Sequence, residues 1–205
     1  MKHIFVVNPV AGKKDITTEL IQTLENKLKK DYSIYVTSCP NDAKEYVQNV
    51  CRNLTEDTVF YACGGDGTLN EVVNGAIGSK YAYVTCFPTG SGNDFIKVFG
   101  KKEDFLDLDA LFAGEVVLVD TIKVNNRYTL NICNLGFDAF VADNFQKFKN
   151  KPLISGKTAY SLSVLYSLLF NMKTDCKISV DDKVISNDKI LLSSFANGIC
   201  YGGGF

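Results

Sequence analysis

Asp66 offers the clearest chemistry in this chain, because it sits inside a glycine loop, Gly64-Gly65-Asp66-Gly67-Thr68, between an apolar run and a helical pattern. The run Thr58 to Cys63 (TVFYAC) is short, β-branched and aromatic, as a buried parallel strand should be. Thr68 followed three residues later by Glu71 predicts a capping box and a helix from Leu69 to about Ile77, closed by Gly78. Glycines at a helix N-terminus let an anion approach unpaired N–H groups and the positive end of the helix dipole. A carboxylate about 4 Å from a phosphate would be repelled by roughly 4 kcal/mol at an effective dielectric of about 20. A divalent cation removes that conflict, and Mg²⁺ in phosphoryl-transfer sites uses one or two carboxylates and several waters. The competing reading of the same residues is a tight turn with a capped helix.

Two more loops must be brought to Asp66 for such chemistry. Lys2 to Val7 predicts a strand that runs into Asn8-Pro9-Val10-Ala11-Gly12-Lys13-Lys14. Tyr81 to Phe87 predicts another, ending in Pro88-Thr89-Gly90-Ser91-Gly92-Asn93-Asp94 before a helix at Phe95 to Phe99. Between them lie a helix from Thr17 to Lys30 with Leu20, Ile21, Leu24 and Leu28 on one face, a strand Ser33 to Ser38, and a helix Asp42 to Arg52. Strands alternating with helices imply an α/β fold with a doubly wound parallel sheet, whose ligands bind beyond the carboxyl ends of the strands. Asn8, Gly12, Asp66, Ser91 and Asp94 then meet on one sheet edge.

After Gly114 the pattern becomes extended. Val116 to Val124 and Arg127 to Leu135 flank Asn125-Asn126, and Lys177 to Val180 and Lys183 to Ser186 flank Asp181-Asp182, with Lys189 to Ala196 following. The expectation is a nucleotide-binding domain over residues 1–117 and an antiparallel, β-rich domain over 118–205, with Asp120 near the crossing. Tyr160 to Met172 predicts a helical insertion preceded by Lys147, Lys149, Lys151 and Lys157. Leu162, Leu165 and Leu169 share one side of it, which suits either a lipid-facing surface or a core helix after a solvated loop.

Composition excludes other chemistries. With 205 residues and 46% hydrophobic content a core is affordable, and a net charge of -1 without a basic stripe argues against nucleic acid. His3 is the only histidine, so acid or base work falls to Asp or Glu. The seven cysteines contain no C-x-x-C, and Cys63, Cys86 and Cys133 lie in apolar runs, which predicts reduced thiols and a cytoplasmic setting. The strand that begins almost at Met1 leaves no room for a signal peptide, and no apolar run is long enough for a transmembrane segment. Gly156-Lys157-Thr158 is not a P-loop, since residue 151 is lysine, and no G-x-G-x-x-G follows the first strand.

Taken in order, Asn8-Pro9 with Gly12, Gly64 to Thr68 with Asn70-Glu71, Pro88 to Phe95, Val119-Asp120, Asn134 to Asp138, and Asn197-Gly198 with Gly202 to Gly204 resemble the diacylglycerol kinase catalytic domain family. Among its members the resemblance is to soluble bacterial lipid kinases related to sphingosine kinases. It implies an NAD kinase/diacylglycerol kinase-like α/β domain, a partial C-terminal β-sandwich, and ATP in the cleft between them. It further implies nucleotide contacts from Asn8, Pro9, Gly12, Thr37, Gly64, Gly65, Asp66, Gly67, Thr68, Asn70, Gly90 and Ser91. Asp66, Asp94 and Asp120 would hold Mg²⁺, largely through water, with Asp66 as the catalytic residue. Ser91 stands where the family often has threonine, and either hydroxyl can donate to a phosphate.

The implied activity is phosphoryl transfer from ATP to a lipid hydroxyl, diacylglycerol first, by a protein that meets its substrate peripherally at the membrane surface. A homodimer is compatible with the pattern. The family continues past the glycine triplet with strands that carry a general base, so the base is expected beyond Phe205 in a longer protein, or is missing in a degenerate member. The alternatives are a sphingoid-base or NAD kinase and a non-catalytic nucleotide- or lipid-binding module.

Overall fold

Alternation decides the central sheet. In β1 (Lys2–Val7) and β3 (Thr58–Gly64), Ile4, Val6, Phe60 and Ala62 point to one face, and Phe5, Val7, Tyr61 and Cys63 to the other. Both faces are buried, so both strands read as continuous apolar runs. Those faces carry separate cores. Helices α2 (Asp42–Cys51) and α3 (Asp66–Ala76) cover the first through Ala43, Val47, Val72 and Val73, and α1 (Thr17–Lys27) and α4 (Leu108–Ala113) cover the second through Leu20, Leu24 and Leu108. Phe5 stacks on Tyr61 with ring centroids 4.3 Å apart. The computed structural model describes residues 1–12, 14–27, 32–149, 151, 156–170 and 172–202. Lys13, Leu28, Lys30, Gly203, Gly204, Phe205 and the side chains of Lys149 and Lys157 lie outside the described residues.

With β2 (Tyr32–Val36) and β4 (Ala82–Pro88) the parallel sheet has the order β2-β1-β3-β4. The chain leaves β1 toward one edge and returns to the other side at β3, so the ends of β1 and β3 flank the topological switch point, where such sheets bind ligands. The α/β class and doubly wound sheet expected from the sequence are therefore present, accompanied by antiparallel strands.

By compactness the chain divides into a first unit, residues 1–131 with the returning segment from Ala196, and a second, Ile132–Phe195. The first unit includes the hairpin of β5 (Ile122–Val124) and β6 (Arg127–Thr129). The expected strand from Val116 shrinks to Ile122–Val124, because β6 offers only three partners, and Val116 to Val119 are exposed without regular structure. The helix expected at Phe95 to Phe99 is one 3₁₀ turn, Phe95–Val98.

In the second unit β7 (Ile132–Gly136) leads into α5 (Phe137–Lys149) and α6 (Gly156–Phe170), then β8 (Thr174–Val180), β9 (Lys183–Ile190) and β10 (Leu192–Ala196). β8 pairs with β9 and β7 with β10. Positive φ at both Asp181 (48°) and Asp182 (64°) gives the β8–β9 turn the mirror-image form that suits a twisted hairpin. Helix α6 buries its small residues: Ala159, Ser163 and Ser167 have no exposed surface, and Ser167 Oγ accepts a bond from Asn144 of α5 at 3.2 Å. Leu162, Leu165, Leu168, Leu169 and Phe170 are exposed. Among the described residues no helix is long and apolar enough to cross a membrane.

Candidate phosphate site

The three loops meet. A β-carbon on Gly12, whose φ is +80°, would collide with the Thr89 carbonyl, and one on Gly90 would collide with the Gly65 backbone. Only glycine permits this nesting of the loops after β1, β3 and β4. Hydrogen bonds tie the same parts together. Gly64 O accepts from Thr89 N (2.9 Å), Gly90 N (3.0 Å) and Asn93 Nδ2 (3.0 Å), and Asn8 N donates to Cys63 O at 2.9 Å. Asn8 Nδ2 reaches Thr68 Oγ1 at 3.1 Å, joining the first loop to the start of α3. Thr37, at the end of β2, donates its N–H to Val7 O at 2.9 Å.

Helix α3 begins earlier than its sequence pattern suggests. Gly65 is its N-cap, with extended backbone and no side-chain cap, and Asp66 opens the first turn. The expected capping box does not form, because both members are engaged elsewhere: Thr68 Oγ1 takes the Asn8 amide, and Glu71 Oε1 accepts from Asn41 N at 3.0 Å. The first intrahelical bond runs from Leu69 N to Gly65 O, so the amides of Asp66, Gly67 and Thr68 precede the ladder, as in helix-terminal anion sites.

Asp66 Oδ1 accepts from the backbone N–H of Asp94 at 2.7 Å and of Phe95 at 3.4 Å. A β-carbon on Gly92 would lie 2.9 Å from Asp66 Oδ2 and 3.7 Å from Asp94 Oδ2, so both carboxylates border one space that glycine leaves open. Asp94 is buried and its Oδ1 pairs with Lys97 Nζ at 2.6 Å. That hydrogen bond, and the charge behind it, raise the Lys97 ammonium above its ordinary value. Burial pushes the Cys86 thiol up to about 12, with the Asp66 carboxylate adding to the effect. All seven cysteines are free thiols.

Asp120 follows in the segment before β5. It is exposed, and its carbonyl accepts from Asn197 Nδ2 at 2.8 Å. Among the described residues no group of three or more His, Cys, Asp or Glu side chains is arranged to hold a metal ion. Ser91 is exposed at the tip of its loop, and Pro9 and Asn70 are half-buried.

Sequence reasoning missed three side chains here. Asn93, buried with φ +53°, bonds Gly64 O; Lys97 pairs with Asp94; and Lys102 Nζ donates to Gly90 O at 2.9 Å. The three-residue spacing from Asp94 to Lys97 was a usable signal, whereas nothing local announces Lys102. Asn70 Oδ1, Thr89 Oγ1 and Asn93 Oδ1 are buried without a hydrogen-bond partner, a cost that ordinary turns avoid and ligand loops tolerate.

The glycine loops pack on one sheet edge at the switch point, beside a helix N-terminus that begins with a carboxylate, which is where doubly wound α/β proteins bind their ligands. The family model described as the diacylglycerol kinase catalytic domain matches residues 2–124, and the chain belongs to that family. A candidate lipid kinase of Staphylococcus aureus (strain bovine RF122 / ET3-1) is 30% identical over 98% of this chain and 65% of its own length. A second, from strain JH9, is 29% identical with the same coverage. The chain thus spans less than two thirds of the curated relatives it matches. A crystal structure of a candidate diacylglycerol kinase from Bacillus anthracis strain Sterne superposes with a TM-score of 0.71 at 26% identity, covering 98% of this chain and 68% of that one.

Proposed function

We propose that this protein is an ATP- and Mg²⁺-dependent lipid kinase that moves the γ-phosphoryl group of ATP to a lipid hydroxyl, diacylglycerol giving phosphatidic acid. The observation that carries the reading is the nesting of three glycine loops around the N-terminus of α3, with Asp66 at its first turn. The lipid oxygen bonds the γ-phosphorus as the bond from that phosphorus to the ADP oxygen breaks, and the hydroxyl proton is released. Such transfer depends on positioning and charge stabilisation.

Each part of the loop cluster has a role in that step. The amides at the start of α3 and the backbones of Gly64, Gly65, Gly67 and Gly90 face the phosphates, with Asn8, Pro9, Gly12, Thr37, Thr68, Asn70 and Ser91 completing the nucleotide contacts. Asp66 and Asp94, which border one space, and Asp120 would hold Mg²⁺ through water. When bound, the ion offsets the repulsion between these carboxylates and the phosphates. Residues 1–117 supply the nucleotide side in this reading and 118–205 the lipid side.

A lipid acceptor at a membrane surface is supported by the second unit. Helix α6 exposes Leu162, Leu165, Leu168 and Leu169, and residues 137–173 carry five lysines against two aspartates in a chain of net charge -1. Leucines with flanking lysines favour peripheral contact with an anionic surface on the cytoplasmic side. The test is ³²P transfer from labelled ATP and Mg²⁺ to diacylglycerol in mixed micelles, by this chain and by the product of its complete reading frame. Label in phosphatidic acid that disappears with Asp66→Asn is the expected result. Label in a sphingoid base or NAD instead would replace the acceptor, and ATP binding without any transfer would make the protein a non-catalytic module.

A further inference from the structure

The loop after β4 divides its backbone amides between two acceptors and a gap. Thr89 N and Gly90 N donate to Gly64 O at 2.9 and 3.0 Å, and Asp94 N and Phe95 N donate to Asp66 Oδ1 at 2.7 and 3.4 Å. Between them, the N–H groups of Ser91, Gly92 and Asn93 have no acceptor among the described residues. Successive backbone N–H groups in turns form concavities that suit anions.

Lys102 fixes the first peptide of that gap. Its Nζ donates to Gly90 O at 2.9 Å. Gly90 O and Ser91 N belong to one peptide group, which is trans, so the Ser91 N–H points away from the ammonium. A cation bonded to the carbonyl oxygen polarises the peptide and makes its N–H a stronger donor. Gly90 is buried and Ser91 exposed, so this peptide runs from a fixed base to an open loop tip.

The lysine is anchored in turn. It opens a 3₁₀ turn, Lys102–Phe105, which Asp104 braces by accepting from Lys101 N at 2.8 Å, and Phe105 packs against the first core. Lys97 is committed to the Asp94 carboxylate, whereas Lys102 bonds a neutral backbone oxygen and keeps its charge beside the loop. Burial raises the Cys86 thiol on β4, with Asp66 adding to the rise and Lys102 opposing it, so both charges act on the strand that feeds the loop. All of these residues lie in the first unit.

We infer that Lys102 is a positioning residue that holds and polarises the Gly90–Ser91 peptide, so that the Ser91 N–H donates to a phosphate oxygen of the bound nucleotide. The inference rests on the proposal that these loops bind the phosphates of ATP. Its test uses ADP in EDTA as the probe and follows two backbone amides by ¹H–¹⁵N NMR, Ser91 and, at the start of α3, Gly67. In the wild-type chain ADP moves both downfield. Lys102→Met weakens ADP binding about tenfold, as loss of a charged hydrogen bond does, and at saturating ADP keeps the Gly67 shift but loses most of the Ser91 shift. Lys102→Arg, which keeps donor and charge, restores the Ser91 shift and most of the affinity. If Lys102→Met loses its fold by circular dichroism, Lys102→Gln carries the test, with weaker ADP binding and a smaller Ser91 shift. A wild-type chain in which ADP moves Gly67 but not Ser91 overturns the inference alone, as does a folded variant with wild-type affinity and shifts. Weaker binding with the Ser91 shift intact makes Lys102 a direct phosphate contact, and equal loss of both shifts marks a general structural role; either overturns the inference. A wild-type chain in which neither amide responds to ADP overturns the phosphate reading and the inference with it.

Discussion

The backbone N–H of Asp94 donates to Asp66 Oδ1 at 2.7 Å, so one carboxylate both borders the space beside Gly92 and fixes the loop that carries the next carboxylate. Charge and scaffold are thus combined in Asp66, and substitutions can separate them. Asp66→Asn keeps an oxygen for the Asp94 N–H but loses the charge. It should retain stability within about 1 kcal/mol and lose most Mg²⁺-dependent ATP affinity. Asp66→Ala should lose that affinity too and, by orphaning a buried N–H, cost a further 1–3 kcal/mol, roughly. Urea unfolding of the two variants checks this, and equal stabilities would contradict the scaffold role.

The close approach of Gly90 to Gly65 predicts a steric phenotype. Gly90→Ala places a methyl group against the Gly65 backbone, which has no side chain to move aside. Overpacking of this kind costs about 1–3 kcal/mol. The expected result is a lower Tm and weaker ATP binding, whereas Gly67→Ala, whose β-carbon meets nothing within 4 Å, should leave Tm nearly unchanged.

Tyr35 and Asp42 form a reporter at the start of α2. Tyr35 Oη donates to Asp42 Oδ1 at 2.7 Å, and that hydrogen bond is the main reason the phenol is pushed up to about 12. The Ser38 N–H, and then the Tyr35 hydroxyl, hold the Asp42 carboxyl below its ordinary value. A raised phenol stabilises the fold fully below its unfolded pKa, and the contribution disappears as pH rises through about 12. A depressed carboxyl stabilises it above the unfolded pKa and loses that contribution as pH falls through the folded one. Asp42→Asn should move the Tyr35 absorbance titration back toward the ordinary tyrosine value, and an unmoved midpoint would contradict the assignment.

Much of this was legible in the sequence, and the misses have physical causes. The strands at Lys2–Val7 and Thr58–Gly64 were readable because burial on both faces makes an unbroken apolar run. The three loops were legible at strand ends, the first as a run of small residues with two lysines and the other two as glycine-rich stretches. The start of α3 was misplaced because Thr68 and Glu71 have the types of a capping box but are claimed by Asn8 and Asn41, partners remote in sequence. The orientation of α6 was ambiguous because leucines at helical spacing normally face a core, yet here Ala159, Ser163 and Ser167 take the buried side.

The exposed face of α6 gives the membrane proposal its own test. Leu165 and Leu169 are 55% and 68% exposed, so Leu165→Ser with Leu169→Ser should leave Tm within a few degrees. Sedimentation with vesicles of anionic phospholipid should fall severalfold relative to wild type. Unchanged sedimentation would remove this face from the lipid-contact reading, and a collapse of Tm would show that these leucines support the fold instead.

In the proposed function the loops around Asp66 bind the phosphates of ATP with the help of Mg²⁺. Calorimetric titration of ATP into this chain, with and without Mg²⁺, beside the Asp66→Asn variant, tests it most directly. Wild-type binding should strengthen at least tenfold with Mg²⁺, and the variant should gain nothing from it. Wild-type affinity that ignores Mg²⁺, or a variant that responds to it as wild type does, would rule out a Mg²⁺-assisted phosphate site at Asp66.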